Sequence, residues 1–173
     1  CEHTKGSVNR VRRGLGVMTR VIRKWAPKKV FAKIYKTTIE PVLLYGNEIC
    51  YPSQAGLQNS LERTHRYATR LASNDFTSEY PVILEKMGWK SCQQMAAERG
   101  LTLMWSYLHG KRDTPERVFD LSKDSGKRMS LRIGHDLEVE MQRTTKAHIV
   151  DMPLNVLKKQ WNGLLKEEVE SAS

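Results

Sequence analysis

The sequence predicts a mainly α-helical protein: a helical bundle followed by a helical C-terminal region that carries a small β-hairpin. Three observations lead there. Apolar residues recur at steps of three and four through most of the chain, the spacing that keeps them on one face of a helix. Prolines and glycines fall between these runs, where helices begin and end. Strict apolar/polar alternation is confined to one short stretch, Asp136 to Met141. At 173 residues the chain is long enough to bury a real core. We expect the bundle to occupy residues 1–72 and the C-terminal region residues 73–173.

The first helix is expected over residues 8–25, because Val8, Val11, Leu15, Met18, Ile22 and Trp25 fall on one stripe. At about 100° per residue, Arg10, Arg12, Arg13, Arg20, Arg23 and Lys24 fall on the opposite arc. Gly14 and Gly16 weaken this helix by up to about 1 kcal/mol each relative to alanine, but the periodicity runs through them. Pro27 suits the first turn of a second helix, and proline pushes the preceding Ala26 out of helical geometry. In that helix Val30, Phe31, Ile34, Thr38 and Val42 mark an apolar face, with Lys29, Lys33 and Lys36 along the other. Pro41 is expected to kink or end it, and Gly46 to close what continues. Tyr51-Pro52-Ser53 reads as a loop. A third helix follows from about 54 to 72, with Leu57, Leu61, Thr64, Ala68 and Leu71 inward and Arg63, Arg66 and Arg70 together on the far side.

Asn74 to Ser78 is turn-like, and residues 81–87 form a short helix ended by Gly88, with Trp89 filling a pocket nearby. Ser91 with Gln94 three residues on resembles a capping box, opening a helix that runs to about His109 and stops at Gly110. Gly100 interrupts that helix. Thr114-Pro115-Glu116 opens another short helix, ending near Phe119 or Leu121. The alternating stretch 136–141 has the pattern of a strand with one wet face, and Met129 to Ile133 is its expected partner. Pro153 starts a last helix through about Glu168, with Val156, Leu157, Trp161, Leu164 and Leu165 as its apolar side.

Charge is distributed unevenly. Residues 1–40 hold 11 basic and 2 acidic side chains, whereas residues 41–173 hold 18 basic and 17 acidic. Between residues 3 and 39 there is no Asp or Glu, so intrahelical ion pairs do not account for the cations. A surface of this kind suits phosphate backbones, where each neutralised phosphate releases counterions. Candidate nucleic-acid contacts are Arg10, Arg13, Arg20, Arg23, Lys24, Lys29, Lys33 and Lys36, with Arg63, Arg66 and Arg70 as a further stripe. No apolar run is long enough to span a membrane. Trp25, Trp89, Trp105 and Trp161 sit at apolar positions and are read as core anchors rather than base-stacking platforms.

Catalytic chemistry finds little support. Two-metal nucleotidyl transfer needs carboxylates converging on Mg²⁺, and no Asp-Asp pair occurs in the chain. Asp136, Glu138 and Glu140 would share one strand face, which reads as a solvated edge. His135 beside Asp136, and His148 near Asp151, lack any accompanying nucleophile motif. Gly14-Leu15-Gly16 lacks the third glycine of a dinucleotide fingerprint and follows no strand. Cys1, Cys50 and Cys92, odd in number and far apart, point to a reducing compartment and to incidental or buried thiols rather than a zinc site.

The order of residues carries a further signal. Arg12-Arg13-Gly14-Leu15-Gly16-Val17, then Ile34 to Gly46 with its Pro41-Val42-Leu43-Leu44-Tyr45-Gly46 ending, then Leu57 to Leu71, Leu84 to Trp89 and Trp161 to Val169 together resemble the thumb and following region of reverse transcriptases from non-LTR (LINE-type, jockey-like) retrotransposons. Two departures are the lack of Trp in Asn47-Glu48-Ile49-Cys50-Tyr51 and Leu165 where that family often has Pro. The resemblance implies a thumb-like bundle, part of an RNA-directed DNA polymerase, that grips RNA or an RNA-DNA template-primer duplex. The fingers and palm, with their Mg²⁺ site, would lie upstream of Cys1. It further implies an intracellular protein, nuclear or cytoplasmic, that needs no cofactor in this segment, is not membrane-bound and is inactive alone. The alternative expectation is a non-catalytic interaction module whose basic helix docks on an acidic protein partner.

Overall fold

A computed structural model describes residues 2–113, 119–121, 135, 137–141 and 152–171. The protein is mainly helical, and its contacts divide it into two compact units, Cys1–Ala96 and Ala97–Ser173.

In the first unit α1 (Glu2–Val21) buries Thr4, Ser7, Val8, Val11, Leu15 and Met18. The buried face therefore follows the expected stripe but starts about one turn earlier and stops sooner. Beyond Val21 the chain turns, Ala26 N bonding back to Ile22 O at 2.9 Å. Trp25, expected as a core anchor, is 86% exposed. The helix ends before the stripe reaches Trp25, so the residue loses its place on the packed face.

Pro27 is the N-cap of α2 (Lys28–Ile34), which passes into a π-helical turn (Tyr35–Ile39) and then α3 (Glu40–Leu44). Glu40 N–H bonds to Tyr35 O, five residues back, and the wider turn spares the proline ring of Pro41 a clash with the carbonyl four residues before it. The π turn also explains a shifted apolar face. The buried residues are Phe31, Tyr35, Ile39, Leu43 and Leu44, whereas Val30 and Thr38 of the expected face are exposed. A four-residue repeat drifts about 40° per step on an α-helix. One under-wound turn takes up that drift and keeps Phe31, Tyr35, Ile39 and Leu43 on one side.

Gly46 adopts φ +74°, the left-handed conformation that glycine reaches without strain, and reverses the chain into the short α4 (Asn47–Cys50). After Tyr51-Pro52-Ser53, α5 (Ala55–Ser73) buries Leu61, Thr64, His65, Ala68, Thr69, Leu71 and Ala72. Asn74 ends it at φ 56°. Asp75 then organises the turn, its carboxylate accepting from Thr77 N, Ser78 N and Ser78 Oγ. These bonds, chiefly from Ser78, hold the Asp75 carboxyl below its usual range.

The short α6 (Tyr80–Met87) ends at left-handed Gly88, and α7 (Cys92–Leu108) starts at the expected capping box. Gln94 N donates to Ser91 Oγ at 3.2 Å while Ser91 N donates to Gln94 Oε1 at 3.0 Å. Glu62 on α5 joins the two elements, accepting from Tyr80 Oη at 2.9 Å and from Gln93 N at 3.1 Å. A carboxylate there also meets the positive end of the α7 dipole.

Three helices set the frame of this unit. α1 and α5 run parallel, since Arg12 lies by Arg63 and Arg23 bonds Asn74. The α2–α3 segment runs antiparallel to α1, with His3 at Tyr45 and Gly14 at Ile39. It also packs against α5 through Tyr35, whose hydroxyl meets His65 Nδ1 at 2.7 Å.

In the second unit the remainder of α7 shares a core with α8 (Pro153–Asn162) and α9 (Lys166–Ser171), built on Met104, Val139, Leu157, Trp161 and Val169. The single C-terminal helix expected to reach Glu168 is instead two, broken after Asn162 around Gly163. Leu165, expected on the apolar side, is exposed. The expected β-hairpin is not seen among the described residues, and Met129–Ile133 lies outside them. Val139 instead forms an isolated antiparallel bridge with Leu121, and Asn162 holds its backbone, donating from Nδ2 to Val139 O at 2.8 Å and accepting Val139 N at 3.0 Å. An amide side chain thus occupies the hydrogen-bonding edge that a partner strand would use. The short helix expected at Thr114-Pro115-Glu116 also falls outside the described residues.

Candidate nucleic-acid interface

The cationic side chains separate into three environments. Arg10, Arg13, Arg20 and Lys24 are exposed on or just after α1, and Lys29 and Lys33 are exposed on α2. Arg23 is half-buried, donating to Asn74 Oδ1 at 3.0 Å with its guanidinium 5.4 Å from the Phe76 ring centre. It ties the end of α1 to the turn after α5. Lys36 is also half-buried, its ammonium 4.9 Å over the Trp89 ring. On α5, Arg66 lies over the Tyr80 ring at 4.9 Å, Arg63 is exposed, and Arg70 is half-buried with its Nε lacking a hydrogen-bond partner.

The structure brings α1 and α5 together at one place. Arg12, Leu15 and Gly16 of α1 and Arg63, Thr64 and Tyr67 of α5 line a cleft of about 460 Å³. Its form follows from sequence spacing. Arg12, Gly16 and Arg20 stand four residues apart, one above another on α1, so the absent side chain of Gly16 leaves a gap between two arginines. A Cβ placed on Gly16 would meet nothing nearer than Arg20 Nη2, at 3.9 Å. Arg20 folds back toward this gap, its Nε 3.4 Å from Gly16 O. Tyr67 is 48% exposed, and no acidic residue lines the cleft. Lys29 and Lys33 do not line it either.

Sequence reasoning placed Arg12 on the basic arc without selecting it for the site and passed over Tyr67 altogether. The spacing Arg12-x3-Gly16-x3-Arg20 was the available signal for the gap. The approach of Arg63 and Tyr67, 47 and 51 residues beyond Gly16, had none.

Beneath this surface the core is aromatic. Tyr35, His65 and Trp89 stack with ring centres 5.5 to 6.0 Å apart. His65 Nε2 is 3.1 Å from Lys90 O. Since a carbonyl only accepts, Nε2 carries the proton and Nδ1 accepts from Tyr35 Oη. Burial lowers the His65 pKa from 6.5 to about 4, opposed by the Lys90 carbonyl and assisted by Lys36. The neutral ring with both nitrogens bonded is a structural element, as is His135, which is buried and reaches Trp161 O at 3.0 Å. Cys92 is buried in the same region and its thiol pKa is raised, chiefly by desolvation, which leaves it unreactive. His148 and Asp151 lie outside the described residues. Among the described residues no helix is long and apolar enough to cross a membrane.

No family model, curated protein or solved structure matches the chain.

Proposed function

We propose that this protein is the thumb side of a retrotransposon reverse transcriptase, an RNA-directed DNA polymerase, and that it grips the template-primer duplex by its phosphates. The observation that carries this reading is electrostatic. In a stretch with no acid between residues 3 and 39, α1 presents exposed Arg10, Arg13 and Arg20, with exposed Lys24 just after it, and meets a second cationic helix, α5, at Arg63. Contacts of this kind position a nucleic acid without reading its sequence. Nucleotidyl transfer would belong to the palm upstream, and metal-dependent primer extension by this chain alone is expected to be blank.

The test is a salt titration of binding to an RNA-DNA hybrid. The logarithm of affinity should fall linearly with the logarithm of salt, by somewhat under one unit per phosphate neutralised. Arg13→Glu with Lys24→Glu should weaken all sequences about equally and flatten that slope. Arg23 is unsuitable because its loss also frees Asn74. Absence of binding at low salt would remove the reading. A second reading, a module docking its basic helix on an acidic protein, draws support from Val17 and Val21, which are exposed at 57% and 62% on the same helix. They would add apolar contacts that a phosphate backbone cannot use. Binding to an acidic protein partner, with none to the hybrid at low salt, would favour it.

A further inference from the structure

We infer that the α1–α5 cleft is a seat for one unpaired nucleotide, its base against Tyr67 and the bare backbone at Gly16 and its phosphate between the guanidinium groups of Arg12 and Arg63. The inference rests on the nucleic-acid reading and deepens it, because a continuous duplex has no use for a recess. Four features of the site point the same way.

The cleft has a floor without a side chain at Gly16, where only the mobile end of Arg20 comes within 4 Å of a Cβ position. That is the condition for a flat group to approach the helix backbone closely. On one wall stands Tyr67, exposed along about half of its surface and not engaged in any described ring contact. An aromatic face of this kind stacks bases of any identity. Arg12 and Arg63 line the opening, with Arg20 drawn toward Gly16. Guanidinium groups with no carboxylate among the lining residues select an anion. A volume of about 460 Å³ is of the size that takes a single small ligand, whereas a helical duplex cannot enter it.

This differs from the phosphate grip in a measurable way. The grip acts on any duplex, but the seat acts only where a base is free of its partner, as at the end of a template beyond a primer. The test titrates the full chain with two RNA-DNA hybrids that differ only in a one-nucleotide overhang. The overhanging hybrid should bind about tenfold more tightly, the scale of one base stacked on an aromatic side chain. Gly16→Leu fills the floor without removing charge, and Tyr67→Ala removes the platform. Each should abolish the tenfold difference, Tyr67→Ala leaving blunt-hybrid affinity unchanged, while Tyr67→Phe should retain the difference. A 5-iodouracil in the overhang should photocrosslink to Tyr67. Circular dichroism melts confirm that the variants are folded, as expected for exposed or unfilled positions.

Equal affinity for the two hybrids, or a difference that survives both Gly16→Leu and Tyr67→Ala, would overturn the seat while leaving the phosphate grip standing. Binding of single strands but not of blunt hybrids, lost in both variants, would uphold the seat and overturn the duplex grip. Capture of a glutamate-rich peptide in preference to either hybrid, lost in Gly16→Leu, would assign the cleft to a protein partner and overturn the inference.

Discussion

Gly14 and Gly16 lie two residues apart on α1, and replacing each by alanine should move stability in different directions. In an exposed helix interior the exchange stabilises by about 1 kcal/mol, because alanine has less backbone freedom to lose. Gly16 has room for the methyl, the nearest group being the mobile end of Arg20 at 3.9 Å, so the full gain is expected. Gly14 faces the π turn, and its added Cβ would lie 2.8 Å from Ile39 Cδ1, well inside the 3.5–4.0 Å optimum for carbon contacts. Ile39 is buried between α1 and its own neighbours. It must leave its rotamer or push the helices apart, at the cost of about 1–3 kcal/mol typical of overpacking. Gly14→Ala should therefore be neutral to destabilising by up to about 2 kcal/mol, and the gap between the two variants should be about 1–3 kcal/mol. Urea titrations followed by circular dichroism measure it as a shift of midpoint at constant slope, with amide exchange along α1 as the local readout. If Gly14→Ala stabilises as much as Gly16→Ala, the close approach of α1 to the π turn is wrong.

Three further outcomes follow from the same structure. The depressed pKa of His65, 6.5 falling to about 4, means that the unfolded chain binds more protons than the folded one between those values. Stability of the first unit should hold above pH 6.5 and decline as pH falls toward 4, by about 3 kcal/mol in total; His65→Gln should flatten this slope, and an unchanged profile would refute the assignment. Asn162→Ala removes both bonds to the Val139 backbone and should destabilise the second unit by about 2–3 kcal/mol, with exchange of the Val139 amide as the direct measure. Trp25→Ala should change stability by no more than about 0.5 kcal/mol, which a buried Trp25 would contradict by several-fold.

Several helix termini were legible in the sequence, though not the ends of α1 or the C-terminal break after Asn162. Pro27, Gly46, Asn74, Gly88, the Ser91/Gln94 box and Gly110 act through hydrogen bonds and backbone angles within a few residues, so their effect is written where they stand. The same holds for the cationic face of α1, which needs only helical periodicity. Distant partners decided the rest. The π turn shifted the buried face of α2–α3 from Val30 and Thr38 to Tyr35 and Ile39, because Pro41 and the shape of α1 and α5 together favour an under-wound turn. The alternating stretch near Val139 was read as a strand, but Asn162, more than twenty residues on, satisfies its backbone instead. Trp25 looked like a core residue by spacing and became the most exposed large apolar side chain of the first unit once the helix ended at Val21. For the candidate site, the sequence by itself determined the charge and the gap at Gly16. Only the parallel packing of α1 on α5 set Arg63 and Tyr67 across that gap, since a long-range approach depends on which surfaces bury each other and no local pattern encodes it.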